Sequence, residues 1–139
     1  MVSQPDAYAG ELPVAYVQFK PGQPAEAREL LSFVKERTPE RAAVPVALHP
    51  INPMPLTLVG KVFKPELRWD AARRAFTTLL GPLRDAGVEA EVQVGADPVH
   101  GILARIFLKG APDTDRPAIE RRVTELFAPF AIRHRVTWS

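Results

Sequence analysis

The chain has 139 residues and an apolar content of 46%, enough for one domain or two very small ones with a real core. It has no cysteine, which excludes disulfides, thiolate zinc sites and cysteine nucleophiles. The net charge of +2 comes from 18 basic and 16 acidic residues, many of them interleaved, so we expect no nucleic-acid binding. We find neither a membrane-span run nor a signal-peptide pattern and expect a cytoplasmic protein.

The first half of the chain reads as strand, helix, strand. Residues 11–19 carry apolar side chains on both faces, which favours an inner strand, although Pro13 pushes its start toward an edge. A turn at 20–24 leads to an amphipathic helix at 25–37. Residues 43–51 are expected to form a short strand interrupted by prolines.

The second half reads as helix, strand, strand, helix, strand. These elements are predicted at 70–80, 88–94, 102–109, from about 117 onward, and at 131–138. Gly81 and Pro82 should end or kink the first of these helices. Asp115 suits the N-cap of the second helix, whose apolar stripe includes Val123 and Phe127.

Together these patterns predict an α+β fold with small antiparallel or mixed sheets and helices packed on one face. We expect two related αββαβ-like units, at 1–69 and 70–139, with the first lacking its leading helix and strand. The stretches "PDAYAGELPVAYVQFKPG" and "DPVHGILARIFLKG" share an Asp/Pro pair, a glycine, a strand and a lysine, which indicates duplication, although their alignment needs a gap. A sheet edge left exposed in the first unit could support a homo-oligomer.

Lys61 directly follows Gly60 at the end of the apolar run "PLTLVG". A phosphate-binding P-loop is excluded, because Pro55 stands at its first glycine position and Val62 replaces the required Ser or Thr. The residues alone leave a solvated turn lysine as the simplest interpretation.

Two motifs resemble the C-terminal domain of the AMP-forming acyl-CoA synthetases, including the fatty-acyl type. The first is a PD…GE motif, matched by Pro5, Asp6, Gly10 and Glu11. The second is P-x-T-x-x-G-K-x-x-[RK]-x-x-L-R, matched by Pro55, Thr57, Gly60, Lys61, Lys64, Leu67 and Arg68. The resemblance covers about residues 2–68. Leu56 departs from the family, which often has a basic residue there, and Lys64 stands where arginine is commoner.

The resemblance implies that Lys61 is the catalytic lysine of acyl-adenylate formation, on a loop supported by Gly60, Thr57, Lys64 and Arg68. The lysine would hold the substrate carboxylate and the ATP α-phosphate together, two anions whose mutual repulsion an ammonium offsets. ATP with Mg²⁺, and CoA, are implied as substrates of the full enzyme, with none bound by this segment alone. Acetylation of Lys61 would silence the same step by removing its charge.

The resemblance also implies that the large N-terminal adenylation domain belongs to the same polypeptide but is missing here. We therefore expect an inactive fragment of a ligase, acting in fatty-acid metabolism on a fatty or other hydrophobic carboxylic acid. The alternative is a non-catalytic interaction or oligomerisation module of ferredoxin-like shape.

The remaining polar candidates are weaker. His49, His100 and His134 are scattered without the spacing of metal ligands, so no metal site is expected. His134 shares a strand face with apolar residues and is interpreted as a core histidine. Arg133 and Arg135 point to the other face, which is most simply solvated.

Overall fold

A computed structural model of the protein describes residues 1–18, 27–37 and 44–139. The chain divides into two compact units, Met1–Ala71 and Ala72–Ser139. Each unit has a three-stranded mixed sheet with helices, so the predicted α+β class is confirmed. The assignment of 1–69 as a truncated synthetase domain and of 70–139 as its extension stays a prediction.

The first unit is a hairpin followed by a helix and a third strand. Its elements are β1 (Val2–Asp6), β2 (Gly10–Val17), α1 (Ala27–Arg37) and β3 (Ala47–Pro50). β2 lies in the centre, antiparallel to β1 and parallel to β3. β2 is therefore an inner strand, as its two apolar faces predicted. The predicted turn at 20–24, residues 25 and 26 of the predicted helix, and residues 19 and 43 of the predicted strands lie outside the described residues.

β1 corrects the prediction that the first unit lacks its leading strand. Its sequence, "VSQPD", is short, and Val2 is its only strongly apolar residue, so no periodic pattern marks it. Pairing with β2 makes it a strand, and Val2 is buried opposite Val14. The leading strand is therefore present, and the described residues before β2 contain no helix.

The helix that follows the Gly-Lys loop also differs from its prediction. α2 spans Lys64–Leu79 and thus begins six residues before the predicted start at residue 70. Pro65 in the first turn needs no hydrogen-bond partner for its nitrogen, and Glu66 is favourably placed near the helix N-terminus. α2 ends before Gly81 and Pro82, as predicted, and a 3₁₀ helix, Gly81–Ala86, follows it.

The described residues of the first unit form one buried apolar cluster. This cluster comprises Val2, Val14, Tyr16, Leu67 and Ala71. The Tyr16 hydroxyl donates a hydrogen bond to Oδ2 of Asp70 at 2.6 Å, which ties β2 to α2. This link anchors the first half of α2, the helix that follows the loop carrying Lys61.

The second unit matches its sequence prediction closely. β4 (Glu89–Asp97), β5 (Gly101–Lys109), α3 (Arg116–Phe127) and β6 (Arg133–Trp138) follow the predicted order. β5 is central, antiparallel to β4 and parallel to β6. The Asp115 carboxylate accepts the amide hydrogen of Ala118 at 3.2 Å, so the predicted N-cap is confirmed.

Helices and strands of the second unit share one apolar cluster. Its buried members are Ala72, Phe76, Leu80, Leu83, Val88, Val92, Ala104, Ile106, Leu108, Val123 and Phe127. The Phe76 ring is fully buried, with its centroid 4.7 Å from that of Phe127. Two packed aromatic rings thus lie within this cluster. In the part of the chain that the structure describes, no helix has the length and apolar character needed to cross a membrane.

The same turn closes the hairpin in both units. In the first, Oδ2 of Asp6 accepts the amide hydrogens of Tyr8 at 3.0 Å and Ala9 at 2.8 Å. The turn ends at Gly10, which has a φ of 79°. Glycine adopts this left-handed conformation at little energetic cost.

The second turn repeats this arrangement. Oδ2 of Asp97 accepts the amide hydrogens of Val99 at 3.0 Å and His100 at 2.9 Å, and Gly101 has a φ of 78°. The hydrogen bonds account for the D-x-x-x-G spacing shared by the two halves, because a short carboxylate reaches the amides two and three residues on. The two units share this turn and their strand order, and the duplication stays a prediction.

The two hairpins nevertheless place their main apolar clusters on different faces, although β5 also buries Leu103 on its other face. Val14, four positions after Gly10, lies in the first cluster, whereas Ala104 and Ile106 lie three and five positions after Gly101. Side chains alternate between the two faces of a strand. Residues at an even distance from the turn glycine in one hairpin and at an odd distance in the other therefore lie on opposite faces.

The Asp97 turn should make stability depend on pH. The His100 amide, with smaller contributions from Val99 and Arg105, holds the pKa of the Asp97 carboxyl below its usual value. A depressed native pKa adds stability that is present above the unfolded pKa of about 4 and is lost as pH falls through the native pKa. We expect the melting temperature of Asp97→Ala to be lower than that of the wild type at pH 7, and we expect this difference to shrink below pH 4. Thermal unfolding across pH tests this, with the exposed Asp113→Ala as control; a pH-independent difference would contradict it.

Candidate active-site loop

Residues 55–63 form a small, tightly hydrogen-bonded hairpin. The Thr57 amide donates to the Lys61 carbonyl at 2.7 Å, and the Phe63 amide donates to the Pro55 carbonyl at 2.9 Å. Leu56 and Val62 pair across the hairpin as an antiparallel bridge. The loop is thus fixed by its own backbone.

A tight turn at Thr57–Gly60 closes this hairpin. The Gly60 amide donates to the Thr57 carbonyl at 3.0 Å, and Gly60 has a φ of 81°. This is the three-residue hairpin loop in which the last residue adopts the left-handed conformation. A Cβ at Gly60 would meet no atom within 4 Å, so the backbone angle, and not crowding within the chain, favours glycine here.

Thr57 holds the backbone of the lysine itself. Its Oγ1 accepts the amide hydrogen of Lys61 at 3.2 Å. The Lys61 side chain is exposed. Threonine, glycine and lysine of the predicted motif therefore cooperate, because two of them fix the backbone from which the third extends.

Two of the predicted loop residues lie elsewhere. Lys64 and Arg68 belong to the first turns of α2, which corrects their assignment to the loop. Four residues apart, they lie on the same side of the helix. Both line a shallow cleft of about 490 Å³ in the first unit, together with Glu11 from the first motif.

The other residues of the first motif have structural positions. Asp6 and Gly10 form the hairpin turn described above, and Pro5 pairs with Glu11 across the hairpin. The structure thus brings Glu11 to Lys64 and Arg68, and it leaves Lys61 apart on its hairpin.

The three histidines occupy unrelated places. His49 packs against the Tyr16 ring with a centroid separation of 5.2 Å, and His100 lies in the turn after β4. His134 is half-buried, 4.9 Å from the Phe127 ring, and burial lowers the pKa of its imidazole. It therefore packs as the predicted core histidine. The described ranges contain no group of three His, Asp or Glu side chains arranged to hold a metal.

Sequence reasoning missed one property of the loop. Leu58 and Val59, at the centre of the turn, are 108% and 80% exposed. In the sequence "PLTLVGKVF" these residues continue an apolar run, which gave no reason to separate them from strand residues. The signal that marks them is the glycine that follows, since it turns the chain.

Comparison with known proteins supplies a relative. Over 84 residues the chain is 43% identical to the marinolic acid–CoA ligase of Pseudoalteromonas sp. (strain SANK 73390). The chain is similar to an acyl-CoA ligase. This finding is consistent with a fragment of an AMP-forming acyl-CoA synthetase and confirms the resemblance predicted from the two motifs.

The similarity covers only part of each of the two proteins. The aligned region is 60% of the chain but only 13% of that ligase. No family model matches the chain, and no solved structure matches it significantly.

The Thr57 side chain should control the order of the Lys61 backbone. Thr57→Val removes the acceptor at nearly constant size, whereas Thr57→Ser retains it. For a hydrogen bond worth about 1 kcal/mol, we expect the Lys61 amide to exchange roughly fivefold faster in Thr57→Val. Amide exchange measured by NMR on the chain itself tests this. Equal exchange in the two variants would show that the hydroxyl does not hold the loop.

Proposed function

We propose that the chain is part of the C-terminal domain of an ATP-dependent acyl-CoA synthetase, in which Lys61 acts in acyl-adenylate formation. The observation that carries the proposal is the hairpin of residues 55–63. It presents an exposed lysine from a rigid turn, in a chain similar to an acyl-CoA ligase. A lysine that must reach into another domain needs this kind of support, because a loosely held side chain would lose orientation.

In the proposed reaction, an oxygen of the substrate carboxylate attacks the α-phosphorus of ATP. The bond between the α-phosphorus and the bridging oxygen of the β-phosphate breaks, and pyrophosphate leaves. The Lys61 ammonium would lie between carboxylate and α-phosphate and stabilise the negative charge that builds up between them. In the second step the CoA thiol, losing its proton, attacks the acyl carbonyl and AMP leaves.

The substrate is proposed to be a carboxylic acid of hydrophobic type. An acid as substrate is supported by the name of the relative, marinolic acid–CoA ligase. The proposal that this acid is a fatty or other hydrophobic acid rests on the predicted resemblance. The acid and ATP would bind to an adenylation domain, the proposed partner within the same polypeptide. Without that domain the chain is expected to be inactive. We place the reaction in the cytoplasm, where ATP and CoA are available.

The second candidate function is an interaction module built on residues 72–139. Glu89 and Glu91 on β4 and Arg133 and Arg135 on β6 are all exposed, on either side of the half-buried Phe107. A sheet face with charges of both signs around an aromatic ring suits contact with another protein surface. Retained half-reactions after deletion of residues 80–139 would favour this separate role for the second unit.

Replacement of Lys61 should separate the two half-reactions. With an adenylation domain present, we expect Lys61→Ala to lower acid-dependent pyrophosphate exchange by about 100-fold or more, because one fixed charge is lost in the transition state. CoA transfer from a supplied acyl-adenylate should stay within about twofold of the wild type. Lys109→Ala, an exposed lysine of β5, serves as the control.

Two outcomes would contradict the proposal. Equal pyrophosphate exchange in Lys61→Ala and Lys109→Ala would make Lys61 an ordinary turn lysine. Equal loss of both half-reactions in Lys61→Ala would place the lysine in a step common to both, contrary to a role in adenylation alone.

A further inference from the structure

The turn that precedes Lys61 is apolar and faces solvent. Leu58 is fully exposed, Val59 nearly so, and Leu56 and Val62 at the base of the hairpin are exposed as well. We refer to Leu58 and Val59 as the apolar tip. Four exposed aliphatic side chains within seven residues form a patch, unlike the single apolar residues found on most protein surfaces.

Turn chemistry does not require these side chains. The centres of tight turns usually carry Gly, Pro, Asn, Asp or Ser, each of which favours the turn for a backbone reason. Leucine and valine offer none of these advantages at positions 58 and 59. The backbone hydrogen bonds from Thr57 and Gly60 also hold the turn, which keeps these two side chains extended from the hairpin. Their free energy of burial is therefore available to a partner.

The position of Lys61 specifies the chemistry of that partner. An ammonium group beside an apolar tip fits a cleft that has anions at its base and apolar walls at its mouth, where water is excluded and charge interactions are strong. The 84 aligned residues are 13% of the ligase that the chain resembles, so that ligase has room for a further domain, and the proposed adenylation domain would provide the cleft.

We infer that Leu58 and Val59 are positioning residues, which insert into an apolar rim of the adenylation domain and set the depth to which Lys61 reaches. This inference rests on the proposed function. It assigns binding to the tip and catalysis to the lysine, so the two properties should be separable by mutation.

A complementation experiment tests this separation. The adenylation domain is kept at fixed concentration, the chain is added in trans, and pyrophosphate exchange is measured with saturating acid and ATP. We expect Leu58→Ser/Val59→Ser to raise the chain concentration needed for half-maximal rate by roughly 10- to 100-fold, because two buried aliphatic side chains are lost. Leu58→Met/Val59→Ile should stay within about threefold of the wild type.

Competition gives a second, independent readout. Lys61→Ala retains the apolar tip and should inhibit the wild-type chain by occupying the same cleft. The polar pair, Leu58→Ser/Val59→Ser, should inhibit far less. Because both side chains are exposed, the melting temperature of the polar pair should equal that of the wild type, and Leu58→Ser alone replaces it if the pair does not fold.

The outcomes distinguish the two proposals. If the polar pair activates at wild-type concentrations while Lys61→Ala is inactive, the tip does not bind the cleft and the function of Lys61 stands. If both variants activate normally, both proposals fall. If sedimentation shows that the wild-type chain is a dimer and the polar pair a monomer, with unchanged activation, the tip is covered by a second copy of the chain and the inference is wrong.

Discussion

The hydrogen bond between the Thr57 hydroxyl and the Lys61 amide is the interaction on which the functional account depends. Together with the positive φ of Gly60 and the backbone hydrogen bonds of residues 55–63, it fixes the backbone of an exposed hairpin. A lysine ammonium is a strongly hydrated point charge on a flexible stem, so its usefulness in catalysis depends on where its backbone is held. Here local hydrogen bonds supply that placement, and the exposed side chain remains free to reach another surface.

Local hydrogen bonds of the same kind close the hairpins of both units. A single aspartate closes each hairpin by accepting two amide hydrogens, and a glycine completes each turn. Each hairpin then pairs with a third, parallel strand after a helix. The clusters differ in composition. The second unit buries Phe76 and Phe127 in one cluster, whereas the cluster in the described residues of the first unit has five buried members, and the Tyr16–Asp70 hydrogen bond links its strand β2 to α2.

The second unit was the more predictable because its patterns are strong. The alternation along 88–94 reflects a sheet with one buried face, and Asp115 caps α3 through a hydrogen bond that its position implies. β1 could not be predicted from "VSQPD", because its strand conformation depends on pairing with β2. The start of α2 was missed for a different reason. Pro65 reads as a break in a pattern, yet in the first turn of a helix it is well tolerated.

The candidate site was likewise only partly predictable from the sequence. The motif predicts Lys61 and its neighbours Gly60 and Thr57, and the structure adds how the latter two fix the backbone. The motif does not predict that Lys64 and Arg68 share a cleft with Glu11, because this depends on how α2 packs near the first hairpin in three dimensions. Nor could the exposure of Leu58 and Val59 be read from an apolar run, because the same letters describe a buried strand.

Amide hydrogen exchange of the hairpin in the presence of an adenylation domain would test the central claim most directly. The rates at Leu58, Val59 and Gly60 are compared with and without a non-hydrolysable acyl-adenylate analogue. If the hairpin carries Lys61 to the adenylate, these amides exchange more slowly when the analogue is bound, and the analogue has no effect on the chain alone. Unchanged exchange in the presence of both the domain and the analogue would contradict the account.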